Sequence, residues 1–126
     1  MNKQEFHLLA DAEINRLFTA IEEQDEDAIL EVDILDEILT IILPDQQQYV
    51  INKQSYAQQI WLSSPISGAY HFDYDKTLGV WIARHGVELR ALLGEELRGA
   101  VLVVFWYNIL ITLVRYKFKL YNMWYK

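Results

Sequence analysis

Three short segments between residues 49 and 74 alternate apolar and polar side chains, and they constrain the fold more than any other part of the chain. Such a period of two is typical of β-strands that bury one face. Residues 64–68, Ser-Pro-Ile-Ser-Gly, separate two of the segments and favour a turn, because proline fixes φ and glycine tolerates positive φ. The stretch therefore predicts a three-stranded antiparallel meander.

The middle strand of this meander places a tryptophan opposite two aliphatic residues. Ile60 and Leu62 share one face of the strand, and Trp61 takes the other face. If the aliphatic pair faces the core, the indole must face solvent, near the amide groups of Asn52 and Gln54. Large side chains exposed on a sheet often mark contact surfaces. We therefore predict that Asn52, Gln54 and Trp61 bind a partner.

Segments with helical spacing and further segments with strand alternation flank the meander. Helical spacing runs over residues 3–24 and again over residues 87–97, whereas residues 29–43 read as two strands and residues 80–84 as another. This order predicts an α+β two-layer sandwich, in which two helices pack on one face of a five- to six-stranded antiparallel sheet. We expect Trp81 to lie in the core of that sandwich.

Charge is distributed unevenly along the chain. All 18 acidic residues lie between Glu5 and Glu96, and the first hundred residues hold seven basic ones, so their net charge is −11. The last 26 residues carry four basic residues and no acidic one. An acidic body repels nucleic acid, because phosphate contacts need lysine and arginine. It suits cations or a basic protein surface instead.

Five of the six residues 22–27 are carboxylates, which repel one another and oppose the helix macrodipole where the first helix ends. A hard cation such as iron or calcium would relieve this repulsion, although a solvated surface corner is the simpler interpretation. Two acids of the first predicted strand and one acid of the first helix extend the set. The predicted metal-binding residues are Asp11, Glu22, Glu23, Asp25, Glu26, Asp27, Glu31 and Asp33. His7 and Asp11 stand four residues apart on the helix, so both could reach one cation.

The composition and motifs exclude several kinds of chemistry. The chain contains no cysteine, which rules out disulfides, thiolate catalysis and cysteine-ligated clusters. It has no phosphate-binding glycine loop, catalytic triad order or His-Glu metal motif. We therefore expect a protein that is not an enzyme. Residues 1–5 lead straight into a helical pattern without a targeting signal, so we expect a bacterial-type cytoplasm.

Several short motifs resemble the signature of the frataxin family, in particular its bacterial members. They are NKQ at 52–54, QIWLSS at 59–64, Gly68, and YHF at 70–72, and the likeness runs from about residue 2 to about residue 97. The resemblance implies the same α+β sandwich. It implies iron, Fe²⁺ or Fe³⁺, as a weakly bound ion for which other hard cations could substitute. It also implies a cysteine desulfurase and an iron–sulfur scaffold protein as partners, with the desulfurase usually inhibited in bacterial members.

Residues 99–126 depart from the family pattern, so we predict a frataxin-like domain at residues 1–98 followed by an atypical C-terminal segment. Residues 101–114 are apolar on every side, and basic residues follow. Fourteen residues fall short of the roughly 20 that span a membrane, so we do not favour a membrane partner. We expect the segment to pack across the groove between the two helices or against a second copy, which would drive self-association.

These observations leave three functions open. The favoured one is an iron-binding accessory and regulatory protein of iron–sulfur cluster assembly that docks on the desulfurase and its scaffold. The alternative is an oligomerising iron-storage or ferroxidase protein that uses the same carboxylates. The third is a membrane-tethered acidic adaptor without a metal role.

Overall fold

A computed structural model describes residues 1–103 and residue 105. The chain forms a helix, six strands, a short 3₁₀ turn at Arg84–Gly86 and a second helix. Their bounds are α1 Lys3–Gln24, β1 Glu31–Leu35, β2 Ile38–Ile42, β3 Gln48–Gln54, β4 Gln59–Ser64, β5 Gly68–Asp75, β6 Val80–Ile82 and α2 Leu89–Leu97.

Helix α1 begins where an asparagine side chain caps its first turn, and it buries one apolar face. The Asn2 side chain accepts a hydrogen bond from the Glu5 amide at 2.8 Å, which satisfies a backbone donor that the first turn leaves free. The buried face recurs every three or four residues, as expected for an amphipathic helix. Its apolar members are Phe6, Ala10, Ile14, Leu17 and Ile21. Phe18 packs at the rim of this core.

The six strands form one antiparallel sheet in the order β1-β2-β3-β4-β5-β6, so each strand pairs with its neighbour in sequence. Asp36 and Glu37 connect β1 to β2 with φ angles of 51° and 66°. Two consecutive residues with positive φ give the tight turn whose twist matches that of a hairpin. The chain therefore makes a tight turn between β1 and β2 without using a glycine.

Both described helices pack on the same face of the sheet, and the predicted α+β sandwich is confirmed. The inner face contributes Leu39, Ile41, Tyr49, Ile51, Ile60, Leu62 and Phe72 to the core. Trp81 joins them and is 1% exposed, as predicted. Two predicted boundaries were wrong: β6 ends at Ile82, and α2 begins at Leu89 because the Glu88 carboxylate caps it, accepting from the amides of Arg90 and Ala91.

A buried ion pair joins the two helices. Arg90 donates to both carboxylate oxygens of Glu13 at 2.6 and 2.7 Å, and both side chains are about 5% exposed. Burial raises the pKa of Glu88 beside this pair, although the two backbone amides it caps partly oppose that rise. The sequence analysis did not anticipate these interactions, since it assigned α2 an apolar face without a charged partner.

A second polar cluster fixes the end of α2 to the sheet. Glu96 accepts hydrogen bonds from the hydroxyls of Tyr49, Ser64 and Ser67 at 3.0, 2.6 and 2.5 Å. Burial, followed by the hydrogen bond and charge of Glu96, raises the pKa of the Tyr49 phenol. The cluster holds α2 against β3 and against the turn between β4 and β5.

The first residues after α2 belong to the core. Val103 and Phe105 are 3% and 7% exposed. A Cβ at Gly94 would lie 3.4 Å from the Val103 carbonyl oxygen, so the segment passes close to α2. This agrees with the prediction that the apolar segment packs on the body, whereas residue 104 and residues 106–126 lie outside the described part of the chain. Neither α1 nor α2 has the length and hydrophobicity that a membrane-spanning helix requires.

Candidate docking and cation-binding surface

Six of the predicted metal-binding carboxylates lie exposed along one border of the molecule, where α1 ends and β1 begins. We call this set, Glu22, Glu23, Glu26, Asp27, Glu31 and Asp33, the acidic ridge. None of them makes an ion pair or a side-chain hydrogen bond with any residue in the described ranges. Within residues 1–103 and 105, the ridge is therefore concentrated negative charge that forms no ion pair.

Asp25 lies in the same segment but has a structural role. Its two carboxylate oxygens accept hydrogen bonds from the amides of Ile29 and Leu30 at 2.9 and 2.8 Å. These bonds hold the loop that carries the chain from α1 into β1. The loop requires a positive φ of 49° at Ala28, so the Asp25 contacts stabilise an otherwise unfavourable turn.

Asp11 does not belong to the ridge, because it forms an ion pair with Lys53. The Lys53 ammonium lies 2.7 Å from Asp11 Oδ1, 3.2 Å from His7 Nδ1 and 3.4 Å from Glu37 Oε1. The cation that His7 and Asp11 share is thus supplied by the protein. Burial alone would lower the pKa of Lys53, but the hydrogen bond and charge of Asp11, and then of Glu37, raise it.

An open groove of about 430 Å³ lies between the end of α1 and β1. Glu22, Asp25 and Glu31 line it, so the fold brings together carboxylates from the helix, the loop and the strand. Across residues 1–103 and 105, however, no three His, Cys, Asp or Glu side chains are close enough to enclose a metal ion. The groove offers oxygen donors for a loosely held, hydrated cation.

The outer face of the sheet carries the predicted partner-binding residues. Asn52 of β3 lies directly opposite Trp61 of β4, and Trp61 lies directly opposite His71 of β5. We call these three residues the Trp61 row. Trp61 is half-buried on the face opposite Ile60 and Leu62, as the alternation predicted.

The amide side chains beside the row are held in place by the protein itself. Asn52 donates to the Lys53 carbonyl at 3.2 Å, and Gln54 accepts from the Ala57 amide at 3.2 Å. Gln59, opposite Gln54, accepts from Trp61 Nε1 at 2.9 Å. The row therefore presents an ordered surface.

His71 is a residue of this surface that the sequence analysis missed, because it appeared there only as part of the YHF motif. Its ring stacks on the Trp61 indole, with centroids 4.2 Å apart and planes 11° apart. A hollow of about 540 Å³ borders it, lined by Ala69, His71, Asp73 and Arg84. Strand alternation could have placed His71 on this surface, because His71 and Asp73 flank Phe72 in β5 and lie on the opposite face from that apolar residue.

Two acids of the ridge share the outer face of the sheet with the Trp61 row. Glu31 and Asp33 project from the edge strand β1 to the face opposite the helices, and Asp33 pairs with Thr40 in the register that continues to Val50 on β3. The outer face of the sheet therefore combines polar and aromatic groups near its centre with negative charge at its β1 edge.

This fold and surface define a small α+β sandwich with an acidic border and an aromatic sheet face. The family model described as a frataxin-like domain matches residues 1–102. The chain therefore belongs to the frataxin family.

Relatives of known name agree with this assignment. The chain is 40% identical to mitochondrial frataxin of Arabidopsis thaliana over 101 residues, which cover 77% of this chain and 54% of that protein. It is 36% identical to the mitochondrial frataxin homologue of Saccharomyces cerevisiae over 102 residues, covering 78% of this chain and 58% of that protein. The chain thus spans about half the length of these relatives.

Solved structures show the same architecture. Frataxin from Psychromonas ingrahamii, described within the CyaY protein family, superposes with a TM-score of 0.74 at 29% identity, covering 84% of this chain and 99% of that one. Trimeric yeast frataxin complexed with ferrous superposes with a TM-score of 0.66 at 36% identity, covering 74% of this chain and 85% of that one.

Proposed function

We propose that this protein is an iron-binding accessory and regulatory protein of iron–sulfur cluster assembly, which docks on a cysteine desulfurase and its scaffold protein. The observation that carries the proposal is the acidic ridge, six exposed carboxylates that form no ion pair with the described residues and that border an ordered aromatic sheet face. Repulsion among these carboxylates lowers the stability of the fold. A bound cation or a basic protein surface would relieve that repulsion, which is a physical reason for the protein to carry the ridge.

The ridge has the donor chemistry for iron but not the geometry of a closed site. Carboxylate oxygens suit hard cations, and Glu22 and Glu31 share one groove. Because no described cluster encloses an ion, we expect modest affinity, several weak positions and poor selectivity among hard cations. The ferrous complex of the yeast relative supports iron as the natural ion.

The same ridge would receive a basic protein surface. Such attraction mainly raises the association rate and weakens as salt increases. Asn52, Gln54 and Trp61 would then supply the short-range contacts. In this role the protein turns over no substrate itself; its output is control of the desulfurase. We propose a bacterial-type cytoplasm as its location, which imaging of the tagged chain would test.

An NMR titration separates the two binding roles. Ferrous iron added without oxygen should broaden or shift amides of the ridge, whereas desulfurase should shift those of the Trp61 row as well. The matched pair Glu26→Gln and Glu95→Gln removes one exposed charge each, on and off the ridge. Only Glu26→Gln should weaken the iron response. Equal effects of the two substitutions, or iron shifts spread over the whole surface, would contradict a ridge site.

Docking is tested by Trp61→Ala. We expect partner affinity to fall by about 2 kcal/mol or more, the scale of interface hot spots, while the ridge response to iron persists. Calorimetry with the desulfurase–scaffold complex measures the first quantity and the iron titration the second. If the variant unfolds, Trp61 acts in folding, and if it binds normally, the docking surface lies elsewhere.

A second candidate function is an iron-storing or ferroxidase assembly. The trimeric structure of the yeast relative favours it, because copies brought together could share carboxylates between them. Ferrous iron added in air should then be oxidised faster than in buffer, and the particle size should grow during oxidation. A protein that keeps its size and leaves the oxidation rate unchanged serves the accessory role alone.

A further inference from the structure

Two neighbours on the outer face fix the orientation of the Trp61 indole. Gln59 accepts the indole N–H at 2.9 Å and donates its own amide to Asp73 at 3.1 Å, which anchors the ring edge. The His71 ring lies parallel to the indole at 4.2 Å and covers one of its faces. The N–H edge of the Trp61 indole is therefore hydrogen-bonded to Gln59, and one face of the ring is covered by His71.

This arrangement leaves the other indole face for a partner. The covered face is turned toward β5, where His71 lies, so the free face is turned toward β3 and Asn52. Aromatic anchors contribute to binding when they are rigid before contact, since less side-chain entropy is then lost. Removing the stacked ring would release the indole without touching its hydrogen bond to Gln59.

We propose that His71 is the positioning residue of the docking surface, because its ring holds the Trp61 indole in one orientation before a partner arrives. Only the effect on partner affinity rests on the proposed docking function. Stacked aromatic pairs are worth enough to change affinity by about two- to tenfold when one ring is removed. The orientation of Trp61 can be measured without any partner.

The isolated protein tests the positioning. The heteronuclear ¹⁵N NOE of the Trp61 indole N–H, assigned by the loss of its signal in Trp61→Phe, should fall in His71→Ala, because the unstacked ring moves more on the picosecond-to-nanosecond timescale. It should keep the wild-type value in His71→Phe, which retains a stacked ring, and in His85→Asn, which removes an exposed histidine outside the row. An unchanged value in His71→Ala, or equal losses in the alanine and phenylalanine variants, would overturn the assignment.

Binding to a purified cysteine desulfurase–scaffold complex tests the consequence. His71→Ala should weaken binding by about two- to tenfold, and His71→Phe should restore it. Equal losses for the alanine and phenylalanine variants would refute positioning by stacking. If the wild type fails to bind at all, the proposed docking function falls, while the indole ¹⁵N NOE still decides whether His71 orients Trp61.

Discussion

Helix α1 holds carboxylates in two opposite environments, halfway along its length and at its C-terminal end. Glu13 is 5% exposed and receives two hydrogen bonds from Arg90, whereas Glu22 and Glu23 are exposed and have no described partner. The buried carboxylate of Glu13 stabilises the fold through its ion pair. The exposed carboxylates of Glu22 and Glu23 destabilise it, because they repel each other and oppose the helix macrodipole. Charge that has an internal partner serves structure, and charge that lacks one is available to a ligand.

Breaking the buried pair should have the largest effect on stability. We expect Glu13→Ala to lower the free energy of unfolding by about 3–5 kcal/mol, because it removes the carboxylate that accepts two hydrogen bonds from the buried Arg90 guanidinium. Chemical denaturation measures the change. The double variant Glu13→Leu with Arg90→Met should recover most of the loss, since an apolar pair of similar volume needs no counter-charge. A loss below about 1 kcal/mol for the single variant would show that Arg90 reaches solvent.

Asp25 sharpens the comparison, because it lies among the exposed acids but is used by the backbone. Replacing it with alanine should lower stability by about 0.5–2 kcal/mol, the scale of a lost capping side chain. Asp27→Ala, two residues away, is the matched control and should change stability by less than about 0.5 kcal/mol. Thermal unfolding of the two variants side by side gives the answer. Equal effects would mean that the Asp25 hydrogen bonds contribute nothing to the loop.

Lys53 lies between the two extremes, since it is buried but its partner Asp11 is half exposed. The pKa of Lys53 is higher in the folded protein than in the unfolded chain, so its stabilisation is complete below about pH 10.4, the ordinary lysine value. It is lost as pH rises through the folded-state value. The stability advantage of the wild type over Asp11→Asn, about 1 kcal/mol at pH 8, should therefore shrink by pH 11. An advantage that does not change with pH would show that Lys53 is not its source.

Neutralising the ridge should have the smallest effect on stability and the opposite sign. Glu22→Gln and Glu23→Gln should each raise the free energy of unfolding by about 0.3 kcal/mol, because acids at a helix C-terminus oppose the macrodipole. The same changes should reduce the iron response in the NMR titration. A lower free energy of unfolding in these variants would contradict the idea that the ridge carboxylates destabilise the fold.

Much of the fold could be predicted from local pattern. The helical period located the buried face of α1, and the alternation around Trp61 assigned the two sides of the sheet, because burial of one face imposes its period on the sequence. The Lys53 cluster was accessible by the same reasoning, since Lys53 shares the inner face with Tyr49 and Ile51. This position was overlooked because Lys53 is charged, whereas the residues before it on the same face, Tyr49 and Ile51, are apolar.

The contacts between distant residues could not be predicted in this way. Glu13 and Arg90 are 77 positions apart, and only the packing of α1 beside α2 brings them within 2.6 Å. The roles of Asp25 and Glu26 are indistinguishable in a run of acids, yet the loop geometry turns one toward the backbone and leaves the other in solvent.

The sequence by itself determined the sandwich, the acidic border and the outward tryptophan, because amphipathic period and charge composition are local properties that survive any correct folding. The tertiary structure alone decided which charges are neutralised from within and which ring covers the indole. Those outcomes depend on ångström-scale proximity between strands and helices, and no one-dimensional pattern encodes such distances.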